Sequence, residues 1–105
     1  MKIIENKTEL LDFLKNIRKQ KKKIGLIPTM GSIHKGHLSL IKNCQKLGFF
    51  SLVTIFVNPT QFNDLKDFNL YPRDRENDIK YLELANTNSL FFPSSEDLYP
   101  DVVKS

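Results

Sequence analysis

With a single cysteine among 105 residues, Cys44, the chain has no disulfide framework and no thiolate cluster for a metal. Only two histidines occur, His34 and His37, so a zinc site would lack its third and fourth ligands. No apolar run approaches the roughly 18 residues of a membrane span. The opening MKIIENKTELLDF meets Glu5 and Glu9 before any long apolar stretch, so no secretory signal is expected and the cytoplasm is the default location. The phosphate-cradling P-loop pattern and the Gly-x-Gly-x-x-Gly fingerprint are both missing. No internal repeat or low-complexity tract interrupts the chain, and its length suffices for one small domain with a single core.

Sixteen basic residues against twelve acidic ones give a net charge of +4, which raises the question of nucleic acid. Four of the sixteen sit in KQKKK, residues 19–23, where a helix is expected to end and cations suit the negative end of its macrodipole. Single-strand binders interleave aromatics with a basic groove, whereas most phenylalanines here lie in strand-like runs. No nucleic-acid partner is therefore expected. Cys44 falls within a helical pattern and reads as a small apolar residue.

Asn6 followed by Glu9 resembles a helix cap, and Leu10, Leu14 and Ile17 recur at helical spacing, which predicts a helix over residues 7–20. IGLIP, residues 24–28, predicts a buried strand stopped by proline. Leu40, Ile41, Cys44 and Leu47 mark a second helix ending at Gly48, and FFSLVTIFV, residues 49–57, is the clearest strand. NPTQFNDLKDFNLYPR then reads as a long loop, of a length usually kept for function. A third helix is expected over residues 74–84, with Ile79 and Leu82 inward, and SLFFP, residues 89–93, forms a third strand. The order α-β-α-β-α-β implies an α/β fold with a three-stranded parallel sheet and right-handed crossovers. Such sheets bind ligands at the carboxyl ends of their strands, where PTMGSIHKGH, NPTQF and PSSEDLYP all fall.

Both histidines lie in IPTMGSIHKGH, residues 27–37. With a helix starting near residues 32–34, His34 and His37 share one face of its first turn, beside unpaired backbone N–H groups and the positive end of the dipole. Imidazoles there can donate to phosphate oxygens and stabilise a departing pyrophosphate. Gly36 leaves room for a base or ribose, and Gly31 permits a turn that a Cβ would obstruct. A bare H-x-x-H pair reads more readily as polar side chains at a helix start; the strand, the Thr-Met-Gly turn and the apolar helix around it shift the balance toward nucleotide binding.

PTMGSIHKGHLSLI resembles the signature of the pantothenate synthetase (pantoate–β-alanine ligase) family, whose H-x-G-H motif is shared across the nucleotidyltransferase superfamily. The resemblance continues through VNPTQF, YPR and FFPSSEDLYP, so its motifs cover residues 24–100 in family order. H-x-G-H alone points only to the superfamily; NPTQF, YPR and the terminal YP narrow it to this ligase. The resemblance implies a Rossmann-like parallel sheet with flanking helices. It also implies an enzyme that activates pantoate with ATP, as a pantoyl adenylate, before β-alanine displaces AMP to give pantothenate. Magnesium accompanies the ATP. By motif position, Met30, Gly31, Ser32, Ile33, His34, Lys35, Gly36 and His37 form the ATP-binding segment, with His37 as proton donor. Gln61 binds pantoate and borders β-alanine.

Tyr71 and Arg73 are expected to brace the loop, Asp78 is a weak candidate for a metal contact, and Phe62, Phe91 and Phe92 read as core. Lys35 occupies the variable position of H-x-G-H, and Asp74 follows YPR where threonine is common in the family. Family members continue into further strands, a lysine segment, a second glutamine and a C-terminal domain. Residues 1–105 are thus expected to be the amino-terminal part of the ATP/pantoate-binding domain, inactive alone, from an enzyme that dimerises. The rival readings are another H-x-G-H nucleotidylyltransferase and a non-catalytic nucleotide-binding module.

Overall fold

The computed structural model describes residues 1–56 and 75–93. Four strands form one parallel sheet: β1 (Lys2–Ile4), β2 (Ile24–Thr29), β3 (Phe50–Ile55) and β4 (Ser89–Phe91), in the spatial order β1-β4-β3-β2. Among the described residues, three helices connect them or lie between them in the chain: α1 (Lys7–Lys19), α2 (Lys35–Lys46) and α3 (Arg75–Leu84). The chain crosses from β1 at one edge to β2 at the other, then returns through β3 to β4. With right-handed crossovers, that reversal puts α1 on the face opposite α2 and α3.

The packing agrees. Ile4, Leu52 and Phe91 meet Leu10, Phe13 and Leu14 of α1 on one face, with Ile24 beside them. On the other face Ile27, Val53, Ile55 and Leu90 pack with Ile33, Ile41 and Cys44 around α2 and with Leu82 of α3. Burial of each such aliphatic side chain is worth about 1.5–3 kcal/mol.

The helix ends follow the local chemistry. Asn6 is extended, and its Oδ1 accepts the Glu9 N–H at 2.9 Å while its amide donates to Glu9 Oε1 at 3.3 Å, so α1 begins as the sequence predicts. It ends at Lys19, and Lys21 takes a left-handed conformation, φ 56°. Lys22 and Lys23 then lie over the rings of Phe50 and Phe49. Helix α2 stops at Lys46, with Gly48 at φ 75° just beyond it. Pro28 falls within β2, where its missing N–H is tolerable because β2 is a sheet edge among the described residues.

Two corrections follow. The sheet has four strands, not three, because Lys2–Ile4 pairs in parallel with β4, Lys2 N–H donating to Asn88 C=O at 3.0 Å. Three residues carry no readable period, and this strand exists through its neighbour. In α2, Ile41 and Cys44 are buried while Leu40 and Leu47 face outward, so only half of the apolar pattern is core. Of α3, Leu82 is buried and Ile79 half-buried, as expected. Phe91 is buried; Phe92 is only partly so, stacked under the Arg75 guanidinium at 4.8 Å. Gln61, Phe62, Tyr71, Arg73 and Asp74 lie outside the described residues.

Candidate active site

At the carboxyl end of β2 the chain must turn sharply before α2, and side chains hold its backbone step by step. Thr29 Oγ1 accepts the Gly31 N–H at 3.1 Å. Gly31 sits at φ 93°, and an added Cβ there would approach Asp78 Oδ2 to 3.3 Å. That meets the sequence expectation for this glycine. Ser32 follows at φ 54°, a left-handed conformation uncommon for a residue with a Cβ. The Asp78 carboxylate then accepts two backbone N–H groups, from Ser32 at 3.1 Å and from Ile33 at 2.8 Å. Ile33 turns its side chain into the core, and Met30, Ser32, His34 and Lys35 are exposed.

His34 is the N-cap of α2, with an extended backbone, and His37 is three positions on. Their roles are reciprocal: His34 Nδ1 accepts the Gly36 N–H at 3.0 Å, and His37 Nδ1 accepts the His34 N–H at 3.1 Å. N-caps are usually Ser, Thr, Asp or Asn, so imidazoles in both places are unusual. An Nδ1 that accepts carries no proton, which assigns the proton of each neutral ring to Nε2. The rings lie 4.1 Å apart between centroids, tilted by 33°. Burial pushes the His37 pKa below its ordinary 6.5, His34 pushes it further down, and the Asp78 charge partly opposes both. With both Nδ1 atoms accepting, the two rings present their Nε2–H groups as donors at the helix start.

This arrangement modifies two expectations. The N–H groups of Gly31, Ser32, Ile33, His34 and Gly36 are all taken by side chains, so these five do not point at an anion as the sequence reading supposed. At Gly36 a Cβ would come within 2.9 Å of His34 Cε1, so the glycine accommodates that ring and does not leave open floor for a base. Residues 30–37 form the turn after β2 and the start of α2. Asp78, a weak candidate from sequence, is instead the buried carboxylate that organises the turn. Both its oxygens are engaged, and no group of three or more His, Cys, Asp or Glu that could hold a metal occurs among the described residues. None of the described helices is long and apolar enough to cross a membrane.

A sequence profile of the family described as pantoate-beta-alanine ligase matches residues 2–105. The chain belongs to the pantoate–β-alanine ligase family. It is 48% identical over 100 residues to the pantothenate synthetase of Thermotoga petrophila, a match covering 95% of this chain and 36% of that protein. The corresponding match in Sulfurihydrogenibium sp. is 46% identical and again covers 36% of the relative. Among solved structures, the pantoate–β-alanine ligase of Francisella tularensis, complexed with β,γ ATP and β-alanine, superimposes with a TM-score of 0.85 at 42% identity. That match covers 96% of this chain and 38% of the Francisella ligase. The chain therefore spans somewhat over a third of the length of these family members. The superposition on the Francisella ligase shows the Rossmann-like α/β fold, and the family match places the chain with the pantoate–β-alanine ligases and not with another H-x-G-H family.

Proposed function

We propose that residues 1–105 form the amino-terminal part of the ATP- and pantoate-binding domain of a ligase that joins pantoate to β-alanine. The observation that carries this is the His34–His37 pair: two Nε2–H donors held side by side at the start of α2, on the ligand-binding edge of a parallel sheet. In the first step a pantoate carboxylate oxygen attacks the α-phosphorus of ATP, and the bond to the β,γ-phosphates breaks to release pyrophosphate. Negative charge builds on the leaving group, where donors fixed in advance stabilise the transition state more than the ground state. In the second step the β-alanine amine attacks the acyl carbon of pantoyl adenylate, and AMP departs.

His37 is assigned as proton donor. Its lowered pKa leaves it neutral before nucleotide arrives, and incoming phosphate charge opposes the burial that keeps it so. Backbone and side chains of residues 30–37 line the phosphates, and Gln61, with both an amide donor and acceptor, is assigned to pantoate and the β-alanine position. Magnesium is expected to enter with ATP, held by phosphate oxygens and water; the described residues provide no cage for it. That the Francisella ligase was solved with β,γ ATP and β-alanine supports the substrate assignment. A cytoplasmic homodimer is proposed on the same family grounds.

The test is a chimera in which residues 1–105 replace the matching third of the Thermotoga petrophila synthetase. With ATP, pantoate and β-alanine it should release AMP and pyrophosphate, and pantoate alone should support exchange of pyrophosphate into ATP. His37→Ala should lower turnover at least 100-fold. A folded chimera that makes no product sinks the assignment, and wild-type rates in the variant remove His37 from the chemistry. Residues 1–105 alone are expected to bind nucleotide weakly and to give no product.

A further inference from the structure

Asp78 is 3% exposed, yet its carboxylate faces the loop between β2 and α2 from the first turn of α3. It accepts the N–H groups of Ser32 and Ile33, 46 and 45 residues away in sequence. The segment it grips contains two successive left-handed residues, Gly31 and Ser32, the second of which resists that conformation. Ile33, anchored in the core on one side and by Asp78 on the other, immediately precedes the N-cap histidine. The direction of both imidazoles therefore depends on where this turn is held, because each ring is itself hydrogen-bonded to backbone N–H groups at residues 34 and 36.

We propose that Asp78 is a positioning residue: its carboxylate clamps the 31–33 turn and so aims the Nε2–H groups of His34 and His37 at the nucleotide phosphates. The proposal rests on the nucleotide reading above, but its geometric half stands apart from any ligand. Two charge-assisted bonds to one carboxylate suit this task, since an amide in its place would turn an NH2 toward one of the two N–H donors.

The experiment is NMR on the full 105-residue chain labelled with 15N. In the wild type, both imidazoles should show the Nε2–H tautomer, and the Ser32 and Ile33 amides should exchange at least tenfold more slowly than exposed amides. ATP at millimolar concentration should shift the Nε2 resonances. Asp78→Asn should mix the tautomers, speed exchange at Ser32 and Ile33 by tenfold or more, and weaken the ATP response about tenfold, with Leu82 and Leu90 amides still protected. A variant that keeps wild-type tautomers and exchange overturns the proposal, and so does fast exchange of Ser32 and Ile33 in the wild-type chain. If the Asn variant does not fold, adding Ser32→Gly, which relaxes the left-handed position, should restore folding but not the single tautomer; restoration of both refutes the clamp. Should ATP shift no imidazole in the wild type, the nucleotide reading fails while the tautomer and exchange results still decide Asp78.

Discussion

A methyl group at residue 25 would collide with the only thiol in the chain. Gly25 lies in β2 directly beneath α2, and an ideal Cβ there would sit 2.3 Å from Cys44 Sγ, 3.4 Å from Cys44 Cβ and 3.7 Å from Phe49 Cβ. The first distance is far inside van der Waals contact, so Gly25→Ala forces the strand and the helix apart or turns the buried thiol out of its rotamer. Overpacking of this kind costs about 1–3 kcal/mol, partly offset by the 0.5–1 kcal/mol that alanine gains over glycine in a strand, roughly. Cys44→Ala alone removes one buried atom and leaves a small void, at about 1 kcal/mol. The double variant should be less damaged than the sum, because the new methyl fills the space the sulfur leaves. A coupling of about 1–2 kcal/mol in favour of the pair is expected, against the ~0.3–0.5 kcal/mol within which independent sites add. Urea unfolding reads this directly: the midpoint should fall in each single variant and recover in the double, with the slope unchanged. Strict additivity would show that the thiol is not what excludes a side chain from residue 25.

Two further outcomes follow from titratable groups. Burial raises the Cys44 pKa, only partly countered by the Gly25 backbone, so alkylation at pH 8 should be slow in the folded chain and reach the rate of a free thiol only in urea; rapid modification of the folded protein would contradict the packing. The His37 pKa is lowered by burial and by His34, so below about pH 6.5 the unfolded chain binds more protons than the folded one. The stability this contributes is therefore complete above 6.5 and is lost as pH falls through the folded value. His37→Asn, whose side-chain oxygen can still accept the His34 N–H, should flatten the decline of the urea midpoint between pH 6.5 and 5; an unchanged decline would mean that His37 does not titrate there.

What could be read from the sequence was whatever repeats with a period or sits at a boundary. Asn6 and Glu9 announced α1, Gly48 closed α2, and the apolar run around Val53 marked the central strand. The H-x-G-H segment was legible because its neighbours before and after have strand and helix patterns. The Lys2–Ile4 strand was not, since three residues show no alternation and its pairing partner lies 87 residues away, as in Lys2 with Ser89. Asp78 was hidden for a different reason. It stands in DRENDIK, where Asp74, Glu76 and Asp78 look alike in sequence, and only the packing of α3 against the β2–α2 loop buries Asp78 while Glu76 stays exposed.

The reciprocal histidine caps carry a consequence for how such a site discriminates. A P-loop binds phosphate through backbone N–H groups, which do not titrate and cannot be removed by a side-chain change. Here the backbone N–H groups of residues 31–34 and 36 are consumed in fixing the turn, so on the proposed reading the two imidazole Nε2 atoms take a large share of phosphate recognition. Each ring's Nδ1 is at once the acceptor that caps the backbone and the reason its proton resides on Nε2. Protonating Nδ1 would strengthen the attraction for phosphate and break the cap in the same event. The burial that lowers the His37 pKa therefore favours the neutral ring that the capping geometry needs. Acidification should therefore loosen this loop while raising its attraction for phosphate, an opposition that a backbone-built phosphate site would not show.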